Sequence, residues 1–381
     1  MKNSLIIILF DHPWEHTADY ACQTSACLSR HNTVVGLLLK DSQSIKEIIT
    51  TFRKPWLWRR QGDNFYLFKP VYIIPFRRHK QVERINVILN MIIVRVVSRF
   101  LFWQKKIRAT YIWIFNPEHA YVRKVFSSGT ISVYDCVDYH GHELTRDDER
   151  RLVRQSSWVF VNSETLYAIH RPVRRDIQKV PLGFNLSLFR VNHKKSSIRL
   201  PHRQPIIGYV GGINPRLDFA LLFRLMQHNP QWNFVFVGPV QVHGPQSVFR
   251  QKIQPAIDRM LGLPNVYWYP SVSKRLIPSL IWQFDIGMVP YDPKLPFNIY
   301  SFPMKILEYF YCGKPVLSTP IRELKRFPIF VTIAETPGQW ELAIKRRLSG
   351  QWPDEYKKQQ RDIAVVNSWE QKIASIEAVM T

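Results

Sequence analysis

Lys305 and Glu308 stand three residues apart in a segment that reads SFPMKILEYFYCGKPVLST and begins at Ser301. Apolar residues at helical spacing predict that both lie on a short helix, with Ser301 and Pro303 as its start signals. Residues three apart share one face of a helix, and the amino end of a helix favours negative charge. A lysine there suits a phosphate group, and a nearby carboxylate suits sugar hydroxyls. The segment therefore predicts a site for a nucleotide sugar.

A glycine-rich turn offers a second candidate site for phosphate. The stretch Gly208–Asn214, GYVGGIN, follows a predicted strand and precedes a predicted helix. Gly211 and Gly212 would let the backbone approach a ligand closely, and Arg216 would add a charged hydrogen bond. The stretch is neither the G-x-x-x-x-G-K-[ST] of P-loop NTPases nor the dinucleotide fingerprint G-x-G-x-x-G. By itself it therefore identifies no particular ligand.

The charge of the chain restricts its partners. The 381 residues carry a formal net charge of +24, which is spread over both halves. Such a charge favours nucleic acid, an anionic lipid surface or a phosphorylated substrate. A basic nucleic-acid-binding protein is the weaker alternative, because no helix-turn-helix, RRM or zinc pattern occurs, and we expect no nucleic acid partner. The four cysteines show no metal-ligand spacing, which predicts buried thiols in a reducing compartment.

Short apolar strands alternate with helical segments along the whole chain, which predicts an α/β fold with parallel sheets covered on both faces. The strands predicted in the first half are Ser4–Phe10, Thr33–Leu39, Tyr111–Phe115, Ile131–Val137 and Trp158–Asn162. Those predicted in the second half are Ile206–Val210, Asn233–Val237, Val266–Tyr269, Ile286–Val289, Val316–Leu317 and Ile329–Ile333. Phe52–His79 does not follow this alternation of strands and helices, and we predict that it has irregular structure.

A polar and basic stretch at 191–204 predicts an interdomain linker. We therefore predict two doubly wound, Rossmann-like domains, at 1–190 and 205–352, which face each other across a cleft. A final helix at 353–381 is predicted to pack back on the first domain. The apolar segment Val82–Trp103 is interrupted by arginines and is therefore not expected to span a membrane. Its pattern predicts a helix of the core or, as the less favoured alternative, a helix at a membrane surface.

The second half resembles the carboxy-terminal domain of glycosyltransferases with the GT-B fold, of families 1 and 4 in particular. Five segments carry the resemblance in the expected order: GYVGGI, FVFVGP, NVYWYPSVSKRLIPSL, FDIGMVPY and FPMKILEYFYCGKPVLST. In the first half, YIWIFNP, VYDCVDYH, WVFVNSETL and VPLGFNLSLF are similar to the acceptor domain of these enzymes. The resemblance implies a hexosyltransferase-type enzyme that uses a nucleotide-diphosphate sugar, a UDP-sugar above all. The acceptor would be a glycan, glycolipid or other glycoconjugate in polysaccharide or cell-envelope synthesis.

The resemblance also implies roles for residues of the second domain. Lys305 would neutralise the diphosphate leaving group, and Glu308 would bind the nucleotide ribose. Ser301 and Met304 would shape the loop against the donor, and Tyr269 would lie near the base. Spacing alone equally allows Glu308 to be an intrahelical partner of Lys305. No cofactor is implied beyond the donor substrate.

One position departs from the family pattern. Many retaining members carry two glutamates in the order E-x7-E, but Tyr300 occupies the position that corresponds to the first. Asn298, Tyr300 and Ser301 are candidates to replace that carboxylate. The departure leaves retaining and inverting chemistry open. It also keeps a catalytically altered relative or a nucleotide-sugar epimerase as alternative functions.

Sugar transfer needs a base for the acceptor hydroxyl, which the resemblance places in the first domain. Asp138, at the end of the strand VYDCV, is the first candidate, followed by His119, Glu118 and His140. The structural alternative is that Asp138 caps the next helix. Because no Asp-x-Asp occurs, we expect metal-independent chemistry in which lysine, helix dipole and backbone amides stabilise the diphosphate.

We expect a cytoplasmic protein that attaches peripherally to the inner face of the membrane. Its basic and aromatic first domain would face anionic lipid or a lipid-linked acceptor. Phe52–Arg60 and Phe76–Lys80 are the segments expected to make this contact.

Overall fold

The computed structural model describes residues 1–12, 20–39, 43–44, 58–74, 79–126, 129–141, 143–190, 198–241, 248–270 and 272–380. The chain forms two compact units, of which one comprises Met1–Pro181 with Trp369–Thr381 and the other Leu182–Ser368. Each unit contains its own sheet, which is parallel in the second unit and parallel in the first except for one antiparallel edge strand. The predicted α/β class is therefore confirmed.

The described residues of the first unit form ten strands: β1 (Leu5–Phe10), β2 (Thr33–Leu38), β3 (Gln43–Ser44), β4 (Trp58–Arg60), β5 (Phe65–Phe68), β6 (Val71–Tyr72), β7 (Thr110–Ile114), β8 (Thr130–Cys136), β9 (Trp158–Val161) and β10 (Gln178–Lys179). Eight form one sheet in the order β10-β9-β8-β7-β1-β2-β5-β4, while β3 pairs with β6. Every residue of β1 is buried, as expected for a parallel strand covered on both faces. The strand order reverses between β1 and β7, where the loops that follow these two strands diverge and ligands bind in such folds.

Within the part of this unit that the structure describes, the α-helices are Tyr20–Leu28, Lys80–Leu101, Glu143–Gln155, Glu164–His170 and Trp369–Val379. Two 3₁₀ segments, Trp103–Lys105 and Pro117–Phe126, flank β7. The prediction of an irregular segment at Phe52–His79 is wrong in its described part, because β4 and β5 form an antiparallel pair and β5 also lies parallel to β2. Three of the four residues of β5 are buried, which supplies the reason for this pairing.

In the described ranges of the second unit there are six parallel strands: β11 (Ile206–Val210), β12 (Asn233–Val237), β13 (Val266–Tyr269), β14 (Ile286–Val289), β15 (Val316–Ser318) and β16 (Val331–Ile333). Their order is β13-β12-β11-β14-β15-β16, so this sheet reverses between β11 and β14. Its helices are Leu186–Arg190, Phe219–His228, Val248–Leu261, Ile277–Ile281, Pro296–Ile299, Lys305–Tyr311, Pro337–Leu348 and Asp354–Val366, with 3₁₀ segments at Lys274–Leu276 and Arg322–Arg326. The residues after β11 and β14 therefore lie at the same edge of the sheet.

The carboxy-terminal segment differs from the single helix predicted at 353–381. Asp354–Val366 belongs to the second unit and Trp369–Val379 to the first. The helix Asp354–Val366 ends just before Asn367, whose carbonyl accepts a hydrogen bond from the backbone N–H of Phe184 (2.9 Å). Phe184 also forms a parallel β-bridge with Ser368. This pairing uses groups that a continuous helix would need for itself.

The chain passes between the units at Pro181–Leu182 and Ser368–Trp369. Residues 191–197 of the predicted linker lie outside the described residues. Within the rest of it, Leu200 is buried in the core of the second unit. No helix of the described ranges has both the length and the apolar character to cross a bilayer.

A buried ion pair ties the last helix to the sheet of the first unit. The Nζ atom of Lys372 lies 2.9 Å from each carboxylate oxygen of Asp135 on β8, and both side chains are 1% exposed. Two charges taken out of water stabilise a fold only as a pair, because either one alone would be buried without a partner.

We expect Lys372→Met to lower the free energy of unfolding by about 3–5 kcal/mol, since it leaves the Asp135 carboxylate buried and unpaired. The double variant Asp135→Leu with Lys372→Met removes both charges and should recover most of this loss. Urea denaturation of the full chain measures both effects. Lys2→Met, at an exposed lysine of the same unit, is the control, and equal stability of Lys372→Met and Lys2→Met would contradict the expectation.

Candidate functional site

Lys305 lies between two tyrosines contributed by neighbouring strands of the second unit. It is the first residue of the helix Lys305–Tyr311, and its Nζ atom donates to the hydroxyls of Tyr291 (2.7 Å) and Tyr209 (3.3 Å). Tyr209 lies on β11, and Tyr291 follows β14. The reversal point of the sheet therefore fixes the position of the ammonium group.

Two cations contact the ring of Tyr291. The guanidinium carbon of Arg216 lies 4.4 Å from the ring centroid, and Lys305 Nζ lies 4.8 Å from it. Burial acts to lower the pKa of Lys305, but the adjacent Tyr209 and Tyr291 outweigh it and the pKa is raised. Burial acts to raise the pKa of Tyr291, but Lys305 and then Arg216 outweigh it and the pKa is lowered. Two positive charges are therefore held close together, an arrangement that an anionic ligand would stabilise.

The guanidinium of Arg216 is held in place by buried polar side chains. Its Nε donates to Asn298 Oδ1 (2.9 Å), and one Nη donates to Ser301 Oγ (3.2 Å). Asn298 and Ser301 are only 1% and 3% exposed. These two candidates to replace the missing carboxylate therefore orient Arg216. The third candidate, Tyr300, contacts Arg322 instead, and the guanidinium carbon of that arginine lies 4.6 Å from the centroid of the tyrosine ring.

The glycine turn after β11 brings the backbone against Lys305. Gly211 has φ +136°, and a Cβ added to it would lie 3.2 Å from Lys305 Nζ. Gly238, after β12, has φ +141°, and a Cβ there would lie 2.3 Å from the carbonyl oxygen of Gly211. On Gly212 a Cβ would lie 2.2 Å from Gln241 Oε1. Gly238 is therefore required by its close contact with the backbone of Gly211, and Gly211 by its positive φ, whereas the Gln241 side chain could move away from a Cβ on Gly212. The backbone N–H of Gly211 donates to the last carbonyl of β12 (2.9 Å), so it is already used within the protein.

The other predicted residues of the second unit lie on neighbouring elements. Tyr269 ends β13, and its carbonyl accepts a hydrogen bond from the N–H of Gly238 (2.9 Å), so it shares the edge with the glycine turn. Met304 directly precedes the helix that Lys305 begins, and Glu308 is half-buried in the first turn of that helix. The structure thus brings Lys305, Arg216 and Gly211 together, with Ser301 behind Arg216.

In the first unit, His119 is hydrogen-bonded to an aspartate that the sequence analysis missed. Its Nε2 contacts Oδ1 of Asp11, and both side chains are largely buried. The segment FNPEH makes a turn in which Asn116 accepts hydrogen bonds from the N–H groups of Glu118 (2.9 Å, at Oδ1) and His119 (3.1 Å, at the carbonyl). Glu118 itself is exposed. Asp11 and His119 follow β1 and β7, the strands between which the sheet reverses, and this topology was a signal that could have identified Asp11.

Asp138 lies beyond the next strand along the sheet. It follows β8, is half-buried, and its carbonyl accepts a hydrogen bond from the thiol of Cys136 (3.3 Å). Burial, followed by the charges of Asp138 and Asp11, raises the pKa of Tyr20 well above its usual range. Tyr20 therefore keeps its proton close to both carboxylates. Asp138 is too far before the helix Glu143–Gln155 to occupy its cap position.

A buried cluster of potential metal ligands lies behind β8. Cys136, Glu149 and His170 place one ligand atom each within 4.8 Å of one another. Tyr134 donates to Glu149 Oε1 (2.9 Å), and His170 Nε2 lies 3.3 Å from the same oxygen. Burial acts to raise the pKa of Glu149, but the hydrogen bond from His170 and the charge of His140 outweigh it. Burial, followed by the charge of Glu149, raises the pKa of Cys136. Because the thiol also donates to Glu149 Oε1 (3.6 Å) and lies 3.7 Å from His170 Nε2, we interpret the cluster as a buried hydrogen-bond network.

Comparisons with known proteins agree with this architecture. Residues 191–326 match the family described as Glycosyl transferases group 1. Over 285 residues, which are 68% of each chain, the protein is 25% identical to the teichuronic acid biosynthesis glycosyltransferase TuaH of Bacillus subtilis.

Solved structures with two parallel-sheet domains also match over nearly the whole chain. Sucrose-phosphate synthase from Thermosynechococcus elongatus has a TM-score of 0.75 and 15% identity, with 99% of this chain and 98% of that one covered. The Anabaena protein HepE, in complex with UDP and glucose, has a TM-score of 0.69 and 15% identity, with 98% and 99% covered. At these identities the structures establish the fold alone. Together with the match over residues 191–326 and the relative, they support a glycosyltransferase with the GT-B fold that is similar to those of group 1.

Proposed function

We propose that the protein transfers a sugar from a UDP-sugar to a saccharide acceptor of the cell envelope. The observation that carries the proposal is the pair of cations, Lys305 and Arg216, held against Tyr291 beside the glycine turn. A diphosphate is the anion that such a pair suits. HepE was crystallised with UDP and glucose, and the relative TuaH carries a name from teichuronic acid biosynthesis, which supports this donor and acceptor class.

The two cations would act on the leaving group. As the bond between the sugar carbon and the diphosphate oxygen breaks, negative charge grows on the nucleoside diphosphate, and Lys305 and Arg216 would stabilise it. Because both side chains are anchored in advance, little reorganisation is needed during the reaction. Glu308 and Tyr269 are proposed to contact the ribose and the base. Metal independence is part of the proposal, since fixed cations supply the charge that a metal ion would otherwise provide.

His119 is proposed as the acceptor base, with Asp11 as its positioning residue and Asp138 as the competing candidate. The Nε2–H group of His119 would donate a hydrogen bond to the carboxylate of Asp11, which fixes the tautomer whose lone pair is on Nδ1. Among the described residues Nδ1 has no hydrogen-bond partner. As the acceptor oxygen bonds to the sugar carbon, its proton would move to the imidazole, and the diphosphate would depart.

A cytoplasmic location at the membrane is also proposed. The cysteines Cys27, Cys136 and Cys312 are free and buried, which suits a reducing compartment. The net charge of +24 suits an acceptor displayed at an anionic surface.

Titration calorimetry with UDP, GDP, TDP and their glucose conjugates tests the donor. We expect UDP and UDP-sugars to bind at least about tenfold more tightly than the other nucleotides, a difference of one order of magnitude in Kd. Added EDTA should leave the affinity unchanged. Absence of binding by every nucleotide diphosphate would refute the donor site, and loss of binding in EDTA would refute metal independence.

A further inference from the structure

The helix Lys80–Leu101 turns an apolar face toward solvent. Val96, Phe100 and Trp103, just beyond the helix, are 61%, 78% and 74% exposed, and Ile85 and Ile92 extend the same stripe. Their separations of seven, four, four and three residues place all five on one side of a helix. We call these five residues the outer face. Large exposed apolar patches on a soluble protein mark interaction sites.

The helix cannot bury this face by rotating, because its opposite side is pinned. Asn90 accepts a hydrogen bond from the N–H of Val71 (2.8 Å) and donates to its carbonyl (2.7 Å). Asn86 accepts from the N–H groups of Ile73 and Ile74 (both 2.8 Å). Both asparagines are buried, and their loss as partners would leave buried polar groups unsatisfied. The outward direction of the apolar stripe is therefore built into the fold.

A basic cavity adjoins the carboxyl end of the outer face. It has a volume of about 280 Å³ and is lined by Arg95, Arg99, Arg108 and Trp103, among others. None of the described residues that line it is acidic. Thr110, at the amino end of β7, also lines it, so the cavity lies at the sheet edge opposite to the one where His119 follows β7. Guanidinium groups bind phosphate oxygens with paired hydrogen bonds.

We propose that the outer face docks on an anionic lipid bilayer, with Arg95, Arg99 and Arg108 binding lipid phosphates. Apolar side chains that enter the acyl boundary and basic side chains that remain among the headgroups are the two components of interfacial binding. The combination favours a lipid surface over a second copy of this chain, because a copy would bring the same positive charge to the contact. The inference gives the proposed membrane location a specific surface, and it does not depend on sugar transfer.

Co-sedimentation of the full chain with vesicles tests the surface. We expect binding to phosphatidylcholine vesicles that contain a quarter phosphatidylglycerol, and little binding to pure phosphatidylcholine. The triple variant Arg95→Gln, Arg99→Gln, Arg108→Gln should lower the apparent affinity on the order of a hundredfold. A second triple variant, Val96→Ser, Phe100→Ser, Trp103→Ser, should lower it at least about tenfold. All six side chains are at least partly exposed, so the fold should tolerate both changes.

A variant of equal charge loss provides the control. Arg146→Gln, Arg150→Gln, Arg154→Gln alters exposed arginines of the same unit and should retain most of the binding. An equal loss of vesicle binding in both triple arginine variants would show that only net charge matters, and it would overturn the proposed surface. Equal binding to the two kinds of vesicle, or binding to neither, would also overturn it. A self-association that the apolar triple abolishes, without lipid binding, would assign the face to a second copy. UDP titration of each variant separates the two proposals, because docking can fail while the donor still binds.

Discussion

Replacing Lys305 with alanine is expected to weaken UDP binding about 10- to 100-fold, the usual effect of losing a charge-assisted hydrogen bond. A larger loss, about 10²–10³-fold in kcat, is expected because charge on the leaving diphosphate grows in the transition state. The ammonium is fixed by Tyr209 and Tyr291, so no other side chain would take its place. Calorimetry and initial rates with a UDP-sugar measure the two effects.

Two further variants make this expectation specific. Arg216→Ala should produce a comparable loss, because its guanidinium lies against the same tyrosine. Lys325→Ala, at an exposed lysine of the same unit, should bind UDP like the wild type. Lys305→Met removes the charge but retains the apolar stem of the side chain, so it tests the charge with less disturbance of packing. Thermal unfolding shows whether each variant is folded. A well-folded Lys305→Met variant with unchanged UDP affinity would refute the donor site.

His119→Ala is expected to lower kcat about 10²–10⁴-fold, the contribution of a positioned general base. Affinity for UDP should stay the same, since His119 belongs to the first unit and the cation pair to the second. Asp11→Asn should also lower kcat, because an amide can donate to Nε2 and favours the opposite tautomer. The signature of a base is thus a fall in kcat without a change in UDP affinity.

The competing base is tested by Asp138→Asn. If Asp138 takes the proton, its variant should show the larger fall in kcat, and His119→Ala should have the smaller effect. His31→Ala, at an exposed histidine of the same unit, should leave the rate unchanged. Normal rates in both the His119 and the Asp138 variants would exclude either residue as the base.

The sequence predicted the sheets closely because parallel strands are buried on both faces. Ile206–Val210, Asn233–Val237 and Ile286–Val289 are observed with the predicted bounds, and every residue in them is buried, since a short, mainly apolar run indicates both a strand and its burial. The pair formed by β4 and β5 escaped prediction. Trp58–Arg60 is polar and sits at the sheet edge, where pairing with β5 rather than burial decides its structure.

Parts of the candidate site could not be read from spacing along the chain. Lys305 and Arg216 were predicted from local signals, a helix start and a glycine turn. Their common contact with Tyr291, and the anchoring of Arg216 by Asn298, join residues far apart in sequence. Asp11 was missed for the same reason, because only the adjacency of β1 and β7 places it against His119.

The sequence by itself determined the fold class, the resemblance to GT-B glycosyltransferases and the lysine of the proposed donor site, because buried strands and a helix start leave local patterns. Tertiary structure decided how that lysine is held, which aspartate meets His119, and which face of the helix Lys80–Leu101 stays exposed. Helical spacing showed that this helix has apolar residues on more than one side. The hydrogen bonds of Asn86 and Asn90 with residues 71–74, together with the packing of Val87 and Met91 in the core, selected the side that is buried, because such contacts depend on residues that the chain brings together only by folding.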